Sequence, residues 1–269
     1  MTTASDIHRR AGGPPMTSTQ LTCLVLASTV ATAVLPMQLA SAGVFDVKGA
    51  GIEKGEREIS ENFTYQNGFS ADGDRTRSSL EIAGAWSPSA WMKLGAKVAM
   101  DKPSDDDWQA SAFGGEVQFS FGEPMKGVAL GWFTGVDAGI HKGETNAVVF
   151  GPIIQFGNDD RSLTFNTFFE KTFGNNREEG TAFTYAVQAK TSLREGFAIG
   201  VEAFGTIPNI GNAPSADEQD HRIGPVLYFD GALTRAKDGP TWAIELGGFV
   251  GLTEATPDTS AKLKAAVLF

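Results

Sequence analysis

From residue 56 to the end of the chain, apolar and polar residues alternate one by one in successive runs set apart by polar punctuation. In the last run Ala261, Leu263, Ala265, Val267 and Phe269 are apolar, and Lys262 and Lys264 stand between them. Period two is strand periodicity, because successive side chains of a strand point to opposite faces. No apolar stretch in this region approaches the ~20 residues a membrane-spanning helix requires. A soluble β-sandwich would also alternate, so the end of the chain carries more weight. The final run stays apolar on one face up to Phe269, where chain ends usually fray in water. A closed barrel has a use for such a run, since its last strand pairs with its first and leaves no edge.

The runs are about ten residues long, as tilted strands crossing a bilayer should be. They cover 56–65, 76–86, 91–100, 108–121, 127–140, 147–156, 161–172, 181–191, 196–206, 220–230, 240–251 and 260–269. Tight turns with Ser87-Pro88-Ser89, Gly122-Glu123-Pro124, Gly157-Asn158-Asp159-Asp160 and Arg194-Glu195-Gly196 alternate with longer, more acidic connections. The connection at 231–239 breaks this rhythm. The expected fold is all-β: a transmembrane, antiparallel, up-and-down β-barrel of about twelve strands with both ends on the short-turn side. Trp86, Trp91, Phe119, Phe121, Phe156, Phe197, Phe229, Trp242 and Phe269 collect beside the short turns, as an interfacial girdle would. Trp91 fits poorly, because its parity groups it with Lys93 and Lys97. Pro152 and Pro225, in the similar stretches 150–156 and 223–229, cannot donate to a ladder and are expected to mark bulges.

The other end of the chain has the make-up of a secretory signal peptide. Arg9 and Arg10 form a basic region, an apolar run follows from Leu21, and Ala40-Ser41-Ala42 supplies a small-residue cleavage site. Cleavage after Ala42 divides the chain into a signal peptide (1–42), a short periplasmic segment (43–55) and the barrel (56–269). A single membrane anchor is the competing interpretation, and the apolar run is short for it. The one cysteine, Cys23, falls within the removed part, so neither a disulfide framework nor a thiolate metal site is expected. A formal net charge of −10 argues against nucleic acid as a partner.

The alternation places Arg77, Glu81, Lys93, Lys97, Glu116, Asp137, Glu170, Lys190, Glu202, Arg222, Glu245, Lys262 and Lys264 on the inward face. On the lipid face such charges would cost about 2–4 kcal/mol each at midplane. They would either cross-link a plugged lumen or line a water-filled path. Gly95, Gly114, Gly131, Gly135, Ala186 and Gly200 would leave room for a path, and twelve strands enclose more space than eight. The mixture of signs argues against strong ion selectivity. The external connections hold Asp101, Asp105, Asp106, Asp107, Glu178, Glu179, Asp217, Glu218 and Asp220, without the spacing of a calcium loop. No metal or cofactor is expected. His141 and His221 could serve as bases, but no G-x-S-x-G elbow accompanies them, so no enzyme activity is expected.

Together, the alternating runs, the signal peptide and the terminal Phe269 resemble the outer-membrane β-barrels of Gram-negative bacteria. In these proteins a C-terminal aromatic residue is an assembly signal. The resemblance implies an outer-membrane location. It implies lipids, lipopolysaccharide and the barrel assembly machinery as partners, and a small-molecule solute. More loosely, His221-Arg222-Ile223-Gly224-Pro225-Val226-Leu227, Gly251-Leu252-Thr253 and Thr256-Pro257-Asp258 resemble the family of transporters that accompany the phenol meta-degradation pathway. That likeness implies a passive, porin-like route for small, hydrophobic or aromatic molecules. The alternatives are a closed structural or adhesive barrel and, more remotely, a lipid-modifying enzyme.

Overall fold

The computed structural model describes residues 45–68, 76–103, 106–123, 125–141, 145–158, 160–234 and 239–269. Among them are twelve strands: β1 (Arg57–Asn67), β2 (Thr76–Ser89), β3 (Met92–Pro103), β4 (Gln109–Ser120), β5 (Val128–Gly139), β6 (Asn146–Gly157), β7 (Arg161–Phe173), β8 (Ala182–Arg194), β9 (Phe197–Ile207), β10 (Asp220–Ala232), β11 (Thr241–Gly251) and β12 (Thr259–Leu268). Each pairs antiparallel with its neighbours in sequence, and β1 pairs with β12, so the sheet closes into a barrel. The closing ladder runs from Glu58 opposite Leu268 to Asn67 opposite Thr259. Beyond it, the Phe269 N–H donates to the Arg57 carbonyl at 2.9 Å. The cleavage site expected at Ala42 lies outside the described residues.

Register fixes the faces, because opposed residues across a ladder point the same way. One outward row runs Val267–Ile59–Gly84–Ala96–Gly115–Val136 and another Phe63–Leu80–Met100. At the turn end of the barrel Trp86 and Phe156 are exposed, and Phe197 stacks on Phe229 at 5.2 Å. Trp91 falls in the β2–β3 turn, after a register shift between Trp86 and Ser89, so strand parity does not bind it. Its ring stacks on outward Phe119 at 6.1 Å, within the same girdle. A second aromatic belt near the loop end was not anticipated: Phe150, Phe169 and Phe183 pack in series, and Tyr185 stacks on His221. One lipid-side carboxylate was also missed. Glu61 is exposed in mid-strand between Ala265 and Ile82.

The two prolines do not shift the register. In β6–β7 and in β10–β11 the pairing keeps one register across Pro152 and Pro225, and only the pairs of the Gly-Pro step drop out. The preceding glycine explains this. A Cβ on Gly224 would lie 1.8 Å from the Gly248 carbonyl oxygen, and one on Gly151 would lie 2.1 Å from that of Thr167. Each Gly-Pro step brings two backbones together without an extra residue. The register shifts occur instead at Trp86/Ser89, Ala99/Met100 and Ser192/Arg194. Turn glycines at positive φ, such as Gly157 (+103°) and Gly196 (+71°), reverse the chain at the turn end.

Candidate functional site

Arg77, Glu81, Lys93, Lys97, Glu116, Asp137, Glu170, Lys190, Glu202, Arg222, Glu245, Lys262 and Lys264 share strand parity with the more buried residues of their strands. Several meet. Lys262 Nζ lies 2.8 Å from Glu202 and 2.7 Å from Glu245. Tyr228 and Gln188 both donate to the other oxygen of Glu202, at 2.8 and 2.9 Å. Lys190 stands over the Tyr228 ring at 4.8 Å. On the opposite side, Lys97 bridges Glu81 at 3.1 Å and Asp137 at 3.3 Å. Lys93 reaches Glu56 and Glu58 near the turn end. Arg222 pairs with Asp220 and donates to Ser260 at 3.0 Å. Glu170 is 3% exposed, and one of its carboxylate oxygens has no hydrogen-bond partner among the described residues.

The glycines do not leave the gap their lack of side chains suggested. The Glu116 side chain lies over Gly95, Lys97 and Asp137 cover Gly114, and the Tyr228 ring covers Gly200. Long inward side chains need somewhere to lie, and glycine on the neighbouring strand supplies that space. Ala186 is buried in an apolar cluster.

What sequence reasoning missed most is the occupant of the lumen. Residues 43–55 were expected to form a periplasmic segment, yet the described part of that segment runs inside the barrel. Phe45 packs against Phe204 and Phe249, with ring centroids 5.2 and 5.4 Å away, and the Arg222 guanidinium sits 4.6 Å over its ring. Asp46 lies 2.6 Å from Lys264 and 3.2 Å from Lys48. Lys48 reaches Glu116 at 3.2 Å, and its N–H donates to the Asn166 side chain at 2.7 Å. Ala50 is fully buried and donates to Gln155, while the Gly49 carbonyl accepts from Gln118. Further on, Gly55 donates to the Ser87 carbonyl at the turn end of β2. The segment therefore descends from the upper part of β9–β11 to the turn end, where β1 begins.

Alternation explains how the segment sits. Phe45 and Val47 join an apolar cluster built on β8–β11, and Ala50 joins a second one with Phe133, Val149, Ile153 and Phe168 on β5–β7. Asp46 and Lys48 instead engage Lys264 on β12 and Glu116 on β4. Among the described residues the wall formed by β12 and β1–β4 contributes nothing to either apolar cluster, so one side of the lumen carries rings together with charges and the other carries no rings. The sequence signal was Phe45-Asp46-Val47-Lys48, four alternating residues ahead of the first run. It was too short to stand out beside runs of ten.

At the loop end His221 faces outward. Its Nδ1 is 2.9 Å from the Tyr185 hydroxyl and its Nε2 is 3.1 Å from Gln219. That is the setting of a hydrogen-bonded rim residue. His141 lies exposed just past β5. Among the loop carboxylates, burial raises the Glu178 carboxyl, whereas hydrogen bonds from the Ser215 side chain and backbone lower that of Glu218. Among the described residues no group of three or more His, Cys, Asp or Glu is arranged to hold a metal ion.

No family model matches the sequence, and no curated protein does. Solved structures do share the fold. An outer membrane channel from Pseudomonas putida F1 aligns with 85% of this chain and 100% of its own, at 10% identity and a TM-score of 0.57. The KdgM porin aligns with 79% of this chain and 98% of its own, at 13% identity and 0.44. The translocator domain of the autotransporter NalP from Neisseria meningitidis covers 81% and 89%, at 10% identity and 0.47. At 10% identity the likeness to the Pseudomonas putida channel is one of fold alone.

Proposed function

We propose that the protein is a passive channel for small molecules in the outer membrane of a Gram-negative bacterium, with the inward residues as its lining. The observation that carries this is how the lumen is filled. Residues 45–54 belong to no strand of the barrel and are held there by side-chain contacts and a few hydrogen bonds to wall side chains. An occupant held in this way can leave while every barrel ladder stays intact. The fold shared with an outer membrane channel supports the same reading. The two-sided lumen suits solutes with an apolar body, in keeping with the resemblance to the transporters of the phenol meta-degradation pathway. Cleavage after Ala42, recognition of Phe269 by the barrel assembly machinery, and contact with lipopolysaccharide at the loop end complete the proposal.

A second reading, a closed barrel with a structural role, is favoured by the ion pairs tying the segment to both walls. Planar-bilayer conductance and liposome swelling separate the two. The channel reading expects discrete conductance steps that grow in a Phe45→Ala/Asp46→Asn variant. Silence from both the wild type and this variant, with the barrel folded, would establish the closed reading instead.

A further inference from the structure

We infer that the seat filled by Phe45 and Asp46 is a binding site for small aromatic carboxylates, which take the place of the segment's ring and carboxylate. The seat is built on wall residues and remains when the segment departs. Its ring half consists of Phe204, Phe249 and the Arg222 guanidinium, which is itself held by Asp220 and Ser260. Tilted aromatic neighbours and a cation over the face favour a π-system above an alkyl chain of equal area.

The anionic half is Lys264. Its neighbour two residues earlier, Lys262, is neutralised by Glu202 and Glu245, both on the wall. Among the described residues the one ion pair of Lys264 is with Asp46, which belongs to the segment. Displacing the segment thus removes the salt-bridge partner of Lys264 beside a ring-lined pocket and leaves it Glu245, opposite on β11 and already engaged by Lys262, and an under-compensated cation in a partly desolvated lumen is costly. A ligand with only a ring leaves Lys264 unmatched, and a simple anion leaves the aromatic pocket empty. An acid whose ring and carboxylate are joined by a short flexible chain satisfies both, as the Phe45-Asp46 dipeptide does now. The segment is in this sense an internal competitor for the site. This assignment rests on the lumen being a solute path.

Isothermal titration of the purified, folded protein with 4-phenylbutyrate tests the site. Binding is expected to tighten at least about tenfold, or 1.4 kcal/mol, in the Phe45→Ala/Asp46→Asn variant, where the competitor is weakened. Adding Lys264→Met should reverse that gain, and 4-phenylbutan-1-ol and butyrate should each bind at least about tenfold more weakly than 4-phenylbutyrate. Equal affinity in the wild type and the variant, or indifference to Lys264→Met, overturns the proposal. So does equal affinity for acid and alcohol. Should the double variant not fold, Val47→Cys gives a second measurement: labelling by a charged maleimide should accelerate saturably with 4-phenylbutyrate and not with the alcohol. An unchanged labelling rate overturns the proposal as well. Conductance of the same proteins keeps the two ideas apart. Binding without conductance removes the channel and leaves the site, whereas conductance without binding does the reverse.

Discussion

Lys262 shows how much a single luminal residue holds in place. Its side chain has no exposed surface and bridges two carboxylates, one of which also accepts from Tyr228 and Gln188. Removing one partner of a buried ion pair leaves the other charge uncompensated, which costs more than the pair contributed. Lys262→Met is therefore expected to destabilise the folded barrel by about 3 kcal/mol, read as a lower denaturant midpoint in lipid vesicles. Glu202→Gln on that background should recover part of the loss. Glu61 predicts the opposite sign. An acidic side chain facing lipid costs less than a basic one, so Glu61→Leu should stabilise by about 1 kcal/mol in the same measurement. These two residues also mark what the sequence could tell. Lys262 was legible because its neighbours Ala261 and Leu263 fixed its parity. Glu61 shares its parity with Ile59, Phe63 and Tyr65, so alternation marks it as outward too, against the expectation that charges face the lumen.

At the scale of strands, period two is a strong signal, since a slip of one residue would turn each face inside out. That is why the ten-residue runs match β1–β12 to within a few residues at either end. Local irregularities were harder to read. Proline signals a missing donor but not whether the chain inserts a residue, and the deciding neighbour, the Gly248 carbonyl lying against Gly224, is far away in sequence. The pair yields a discriminating prediction. Gly224→Ala drives a methyl group into a carbonyl and should cost about 2 kcal/mol or more. Gly248→Ala meets nothing within 4 Å and should be tolerated. Comparing the heat-modifiable gel shifts of the two variants checks this.

For the molecule as a whole, closure decides stability. Deleting β12 would leave β1 and β11 each with an unpaired edge in lipid, where every orphaned backbone group is penalised. Such a truncation should give no heat-resistant folded form. The lumen is where alternation fell silent. Period two names the residues that face inward, but it does not say what lies between them, and the occupant comes from a stretch with no strand of its own. Its backbone carries one further mark: Phe45 has a φ of +63°, a region that costs a bulky residue of order 1–3 kcal/mol unless its surroundings enforce it.

The segment is anchored where β1 starts, beside Ser87 at the turn end, while Phe45 sits deepest among Phe204, Phe249 and Arg222. It resembles a cork on a string fastened at one mouth of a tube. In the proposed channel, cleaved after Ala42, such a cork would swing out through the mouth where the string is tied, and traffic from the two compartments would meet an unequal obstacle. Molecules arriving from the far side would then push on the cork's head and drive it the way it can travel; those arriving from the tethered side would push it deeper.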